Sequence, residues 1–165
     1  MPDTNRVPFS KRDLIVIMRD GSLYEQEVFM EAGDVSWTEG VPEALYFLDR
    51  GSVEDGETRD GDDTPMELSF SFACTDLANS VYPTLVGWTS LPEGSWEADN
   101  LVSTLGAGRD MRLDVDVVFL GDRRGGVEDV TLRFKHWKPK ISVAEGDFLT
   151  VSVTGTCKAI RPERL

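Results

Sequence analysis

The sequence predicts a mainly β protein, an antiparallel sandwich or barrel with one short flanking helix. Three observations carry that expectation. Residues alternate strictly: Met66, Leu68, Phe70 and Phe72 point one way, while Glu67, Ser69, Ser71 and Ala73 point the other. Successive strand side chains face opposite sides of a sheet, so this strand has one apolar and one polar face. Gly/Asp clusters separate such stretches, at Asp20-Gly21, at 121–126 (GDRRGG) and at Glu145-Gly146-Asp147, as turns between short strands would. A change of period appears only between Thr75 and Leu91. There Pro83 suits the first turn of a helix, with Leu85 and Trp88 three apart on one face. Gly87 weakens this helix and Pro92 limits it.

In chain order, residues 1–12 hold two prolines, mixed charge and little apolar content, and read as a flexible arm before one domain spanning 13–165. Leu14 to Met18 (LIVIM) is a continuous apolar run short enough for a buried strand. Asp20-Gly21 turns it into Leu23–Met30, the second arm of a hairpin. Ala32-Gly33-Asp34 bends the chain before Val35–Thr38, and Ala44–Leu48 is another apolar strand. Arg50–Pro65 then reads as a long acidic loop; with Asp49 before it, Glu54, Asp55, Glu57, Asp60, Asp62 and Asp63 oppose only Arg50 and Arg59. Residues 92–110, rich in Gly, Ser, Asp and Asn, form a second long connection. Period-two strands return at Met111–Phe119, Val130–Phe134 and Leu149–Val153. No repeat or linker divides the chain.

A chain of 165 residues with 40% hydrophobic content can bury a core without staples. No apolar run approaches the roughly 20 residues that span a bilayer, so no membrane association is expected. The N-terminus lacks the apolar segment of a signal peptide, so cytosolic synthesis is the default. Cys74 and Cys157 lie far apart, and in that setting they read as buried apolar side chains. The net charge of −13 argues against direct nucleic-acid binding, which requires cations to neutralise phosphates. Solubility explains such a charge sufficiently. A negative surface would also let DNA pass without sticking.

The residues offer little to chemistry. His136 is the only histidine and reads as structural or surface-exposed. Neither cysteine sits in a nucleophile signature, and no Zn-type cluster, P-loop or dinucleotide fingerprint occurs. Aligning Gly61 with the glycine of an EF-hand puts Gly56 and Thr58 where carboxylates are needed. The loop therefore fails as an EF-hand, leaving at most opportunistic calcium binding. No cofactor is expected. Abundant acids cannot by themselves single out a catalytic pair. A loop this long without secondary structure is functional or disordered in most domains.

The segments EAGDVSWTEG (Glu31–Gly40), LDRGSV (Leu48–Val53), DGDDTPMELSFSF (Asp60–Phe72) and VTGTCKA (Val153–Ala159) resemble those of major tail proteins, the tail tube subunits of long-tailed bacteriophages. The likeness spans roughly Leu23 to Ala159. It implies a β-sandwich or barrel assembling as hexameric rings, stacked into a hollow tube around a tape measure protein. Terminator and tip proteins would close its ends, and DNA would cross the lumen unbound. Location would be the virion tail, with assembly in the host cytoplasm. The resemblance assigns the acidic loop, with Asp55, Glu57, Asp60, Asp62 and Asp63, to contacts between rings or subunits. The polar strand faces, with Asp114, Asp116, Ser152 and Thr154, become candidates for the lumen or a subunit seam. A related contractile injection or secretion tube fits the same pattern. The alternative is a monomeric β-barrel module binding a small ligand or peptide; an enzyme ranks third.

Overall fold

A computed structural model describes residues 14–22, 25–28, 35–73, 102–106, 109–121, 128–144 and 150–165. The arm expected at 1–12 and the short helix expected around Pro83–Trp88 lie outside them. The described residues form strands and no α-helix: β1 (Leu14–Arg19), β2 (Glu25–Val28), β3 (Ser36–Thr38), β4 (Ala44–Asp49), β5 (Ser52–Asp60), β6 (Met66–Ala73), β7 (Leu113–Phe119), β8 (Val130–Ala144), β9 (Thr150–Cys157) and β10 (Glu163–Arg164). The expected antiparallel β class is therefore what the chain adopts. One sheet runs in the order β2-β1-β7-β8-β9-β6-β3, with β10 added to β8, and curls into a half-barrel. β4 and β5 pair only with each other.

Alternation places the core. Val16 and Met18 on β1, Met66, Leu68 and Phe70 on β6, and Leu113, Val115 and Val117 on β7 are buried on the inner face. Phe134 and Trp137 on β8 and Val153 and Cys157 on β9 complete the cluster. Trp37 shows how far the sheet curls. It lies on β3 at the end of the order, yet its ring meets Phe119 of β7 at 6.4 Å and Phe134 of β8 at 5.4 Å, both edge-on. Such T-shaped pairs are a favoured aromatic geometry.

β8 cannot keep one phase along its length. Phe134 opposes Val115, but three residues later Trp137 opposes Leu113, so β8 carries one extra residue. His136 absorbs it with a positive φ of 54°. The bulge flips the alternation, so that Phe134 and Trp137, an odd number of positions apart, both face inward. Four polar contacts hold the strained position. The His136 N–H donates to Asp114 Oδ1 (3.0 Å), its Nδ1 pairs with Thr104 Oγ1 (2.8 Å), and its carbonyl accepts from Arg112 Nη1 (3.0 Å) and the Lys158 N–H (3.2 Å). The lone histidine is thus a structural residue.

Beyond the bulge β8 leaves β7 and runs alongside β9, from Trp137↔Cys157 to Ala144↔Thr150. Gly155 of β9 lies beneath Trp137, whose indole N–H donates to the Leu68 carbonyl at 3.2 Å and whose ring stacks on Phe70. At the same end of β7 Asp20 clasps the exit of β1. Its carboxylate accepts from the Ser22 N–H (2.9 Å) and the Val102 N–H (3.1 Å).

Candidate assembly surface

The stretch expected to be an acidic loop is in large part a strand. β4 and β5 form a hairpin in which Ala44 opposes Asp60, Tyr46 opposes Thr58 and Phe47 opposes Glu57. Its turn is Arg50-Gly51, flanked by the pair Asp49↔Ser52, with φ of 49° and 85° at the two central residues. Two successive positive φ values mark a type I′ turn, whose twist matches that of paired strands. Glycine takes such a φ freely, and the arginine bears the smaller cost of a single left-handed residue. Gly56 is required for a different reason. A Cβ there would collide with the Phe47 carbonyl and lie 3.2 Å from Leu48 Cα, at the register shift between the two strands.

This hairpin is exposed on both faces. Leu45 (49%), Tyr46 (61%), Phe47 (52%) and Leu48 (54%) follow one another along β4, and all four are open to solvent. Alternation sends Leu45 and Phe47 to one side and Tyr46 and Leu48 to the other. A strand apolar on both faces belongs in an interior. Here each face carries acids from β5 instead, and Val53 (58%) extends the apolar surface. Among the described residues no hydrogen bond or ion pair ties β4 or β5 to the main sheet. Asp55, Glu57 and Asp60 lie on β5, while Asp62 and Asp63 are exposed in the connection to β6. Four of these five acids and the apolar run thus share one projecting segment, 44–62, and Asp63 follows directly.

The polar strand faces split into two kinds. On β3, β6, β9 and the far half of β8, hydroxyl side chains line up across strands, interrupted by Glu67 and ending at β8 on two lysines: Ser36–Ser69–Thr154–Lys140, Thr38–Glu67–Thr156–Lys138 and Ser71–Ser152–Ser142. Ser152 and Thr154 are exposed there, and Ser36 and Ser69 share a 2.9 Å hydrogen bond. The other candidates differ. Asp116 is buried and takes three charged hydrogen bonds, from Arg19 Nε (2.8 Å), Arg133 Nε (2.7 Å) and Arg133 Nη2 (2.9 Å). Asp114, half-buried, is used by the bulge. The row with Asp114 and Asp116, a candidate for the lumen or a subunit seam, carries ion pairs, continued by Arg19–Glu25 and Lys135–Glu163. Sequence gave no hint of it, since Arg19 and Asp116 are 97 residues apart and meet only through the β1–β7 register.

Burial pushes the Asp116 carboxyl up, but the hydrogen bonds and charges of Arg133 and Arg19 outweigh it and hold the group below its ordinary value. The folded value thus lies below the unfolded one. The resulting stability is complete above the ordinary aspartate pKa of about 3.9 and is lost as pH falls through the depressed folded value. We expect Asp116→Asn to cost about 2 kcal/mol at neutral pH, allowing for the partly exposed arginines. Urea titrations of both proteins between neutral pH and about pH 3 should show the gap closing in acid. A gap independent of pH would remove the carboxylate from the account.

Cys157 is buried and free, with its thiol pushed up to about 12 by burial. In a Cys74→Ser background it should resist a thiol reagent at pH 8 while folded and react within seconds in denaturant. Rapid native labelling would contradict the packing of β9. Among the described residues no cluster of His, Cys, Asp and Glu could hold a metal ion.

No protein-family model and no curated protein sequence matches the chain. Solved structures do. A chain in the extended sheath/tube terminator of an extracellular contractile injection system (PVC) aligns over 96% of this chain and 97% of its own, at 12% identity and a TM-score of 0.58. A chain in the baseplate of the anti-feeding prophage (AFP) aligns over 96% of both, at 12% identity and 0.58. A chain in the tube-terminating cap of that prophage aligns over 100% of both, at 10% identity and 0.55. The fold is that of chains in contractile injection systems. The likeness is to chains of contractile injection particles and does not single out a tail tube subunit of long-tailed phages.

Proposed function

We propose that the chain is a structural, non-catalytic subunit of a phage-tail-like tube. It assembles head to tail into six-membered rings that stack around a hollow lumen. One observation carries this reading: a hairpin with four successive large apolar side chains exposed on both faces. Exposed apolar area of that kind marks an interaction site, and a two-stranded hairpin is marginal on its own. A neighbouring copy that covers it supplies what the single chain lacks. The likeness in fold to chains of tube-bearing assemblies supports the same reading.

In this reading the apolar residues of β4 and the acids Asp55, Glu57, Asp60, Asp62 and Asp63 lie between subunits or rings. The hydroxyl face with Ser152 and Thr154 lines the lumen, where short hydroxyl side chains give a passing polymer little to hold, and Lys138 and Lys140 stand at its β8 margin, toward the neighbouring subunit. Asp114 and Asp116 stiffen the β7 and β8 part of the same outer face. A tape measure protein sets tube length, terminator and tip proteins close the ends, and DNA is the cargo. The particle is a virion tail or a tail-like injection device assembled in the host cytoplasm.

Negative-stain microscopy with light scattering across a concentration series tests this directly. Hollow rings or tubes of uniform width are expected. A chain that remains monomeric at high concentration and beside its tape measure partner would sink the proposal, and would favour a monomeric ligand-binding barrel.

A further inference from the structure

We infer that the acidic strand of the hairpin docks on a lysine edge of β8 in a second copy of this chain, a step that rests on the tube reading. The two surfaces lie on opposite margins of the same part of the sheet. Within the order β8-β9-β6-β3, the hairpin is inserted between β3 and β6 at one side. At the other side β7 parts from β8 at Leu113↔Trp137, and beyond it Lys138–Ala144 pairs with β9 alone among the described residues. That edge opens with Lys138-Pro139-Lys140, both lysines exposed. Lys140 has no ion pair among the described residues, and Lys138 reaches Asp110 only at 3.5 Å.

Lysine and proline on an edge strand ordinarily repel indiscriminate strand pairing. They leave one kind of partner acceptable, a segment rich in carboxylates. β5 is such a segment. Glu54, Asp55, Glu57 and Asp60 are exposed on it against a single cation, Arg59. In a chain of net charge −13, copies repel over most of their surface, so a local match of opposite charge fixes the register of contact. In the proposed contact each copy offers its hairpin to one neighbour and its lysine edge to another, so the contact is heterologous. Such a contact passes from copy to copy and closes a ring or runs on as a filament, instead of stopping at a two-fold dimer.

Charge exchange tests it. Lys138→Glu with Lys140→Glu, and separately Glu54→Lys with Asp55→Lys and Glu57→Lys, should each weaken self-association roughly tenfold or more in sedimentation. A chain carrying both sets should recover it. Circular dichroism verifies that every variant is folded, as expected for changes at exposed sites. In wild-type protein, carbodiimide coupling followed by mass spectrometry should join Lys138 or Lys140 to carboxylates of β5 between copies. That readout does not depend on any variant. Assembly indifferent to the lysine changes, or cross-links running only to other lysines, overturns the docking edge while leaving the tube reading intact. Wild-type protein that forms no oligomer overturns both.

Discussion

A chain in which residues 44–60 are replaced by Asn-Gly will fold as the native sheet does and will fail to assemble. The substitution is sterically reasonable, because the Gly61 N–H already donates to the Glu43 carbonyl at 2.8 Å and the two ends of the hairpin meet. An Asn-Gly turn closes such a pair of ends. None of the buried core residues lies within 44–60, so thermal unfolding should move little, as for surface changes worth about 0.5 kcal/mol or less. Assembly should respond far more. Each large apolar anchor at an interface is worth on the order of 2 kcal/mol, about 30-fold in association constant. Phe47→Ser with Tyr46→Ser therefore suffices as a smaller change, touching one side of the hairpin each. Sedimentation velocity reads the loss of oligomers, and calorimetry reads the retained fold. Rings of unchanged stability in the shortened chain would show that the hairpin is not an interface.

Ala44–Leu48 was legible as a strand from its apolar run, but β5 reads SVEDGETRD, made largely of residues that strands disfavour. Nothing in its own pattern asks for extension. It is a strand because Arg50-Gly51 turns it back onto β4, and a backbone ladder needs no favourable side chain on both partners. By contrast β6, β7 and β9 each bury one face against the core, and burial on one side is what writes a period of two into sequence. Met66, Leu68, Phe70, Leu113, Val115, Val117 and Val153 are buried as alternation places them. The β1–β2 hairpin was likewise readable from Asp20-Gly21.

The site-level features were less legible, for two physical reasons. The bulge at His136 breaks the alternation that carries the prediction, so the phase of β8 beyond Phe134 cannot be extrapolated from Val130, Leu132 and Phe134. The partners of Asp116 come from β1 and β8, and alternation says only that Asp116 faces away from the core, not that two arginines await it there. A polar position on a strand is a lumen candidate or an ion-pair member depending on neighbours across the sheet. Ser152 and Thr154 sit among hydroxyls and stay exposed; Asp116 sits between guanidinium groups and is buried.

Gly155→Ala will be among the most destabilising single changes in the chain, although it adds only a methyl group. A Cβ at this position would overlap the Lys138 carbonyl oxygen and lie 2.7 Å from Trp137 Nε1. The first neighbour is backbone across the β8–β9 pairing and cannot swing aside. The second is the largest fully buried side chain among the described residues, fixed by its stack on Phe70 and its hydrogen bond to Leu68. Relief requires β8 and β9 to separate or the indole to leave its place. Replacing glycine also restricts the unfolded chain, which ordinarily stabilises by about 0.4–1 kcal/mol. Overpacking of about 1–3 kcal/mol, together with about 1 kcal/mol for a lost buried hydrogen bond, outweighs that gain. A net loss of about 2–3 kcal/mol corresponds to a fall in Tm of roughly 4–12 °C for a domain of this size. Trp137→Phe separates the two contributions. It removes the indole N–H, so the pair Gly155→Ala/Trp137→Phe should cost less than the two single changes added, while the clash with Lys138 persists. Strict additivity in that cycle would place the strain entirely in the backbone, and a Gly155→Ala chain as stable as wild type would mean that β8 and β9 yield without cost. The same strands bear Lys140 opposite Thr154, so any separation forced at Gly155 also moves the edge on which a neighbouring subunit is proposed to dock.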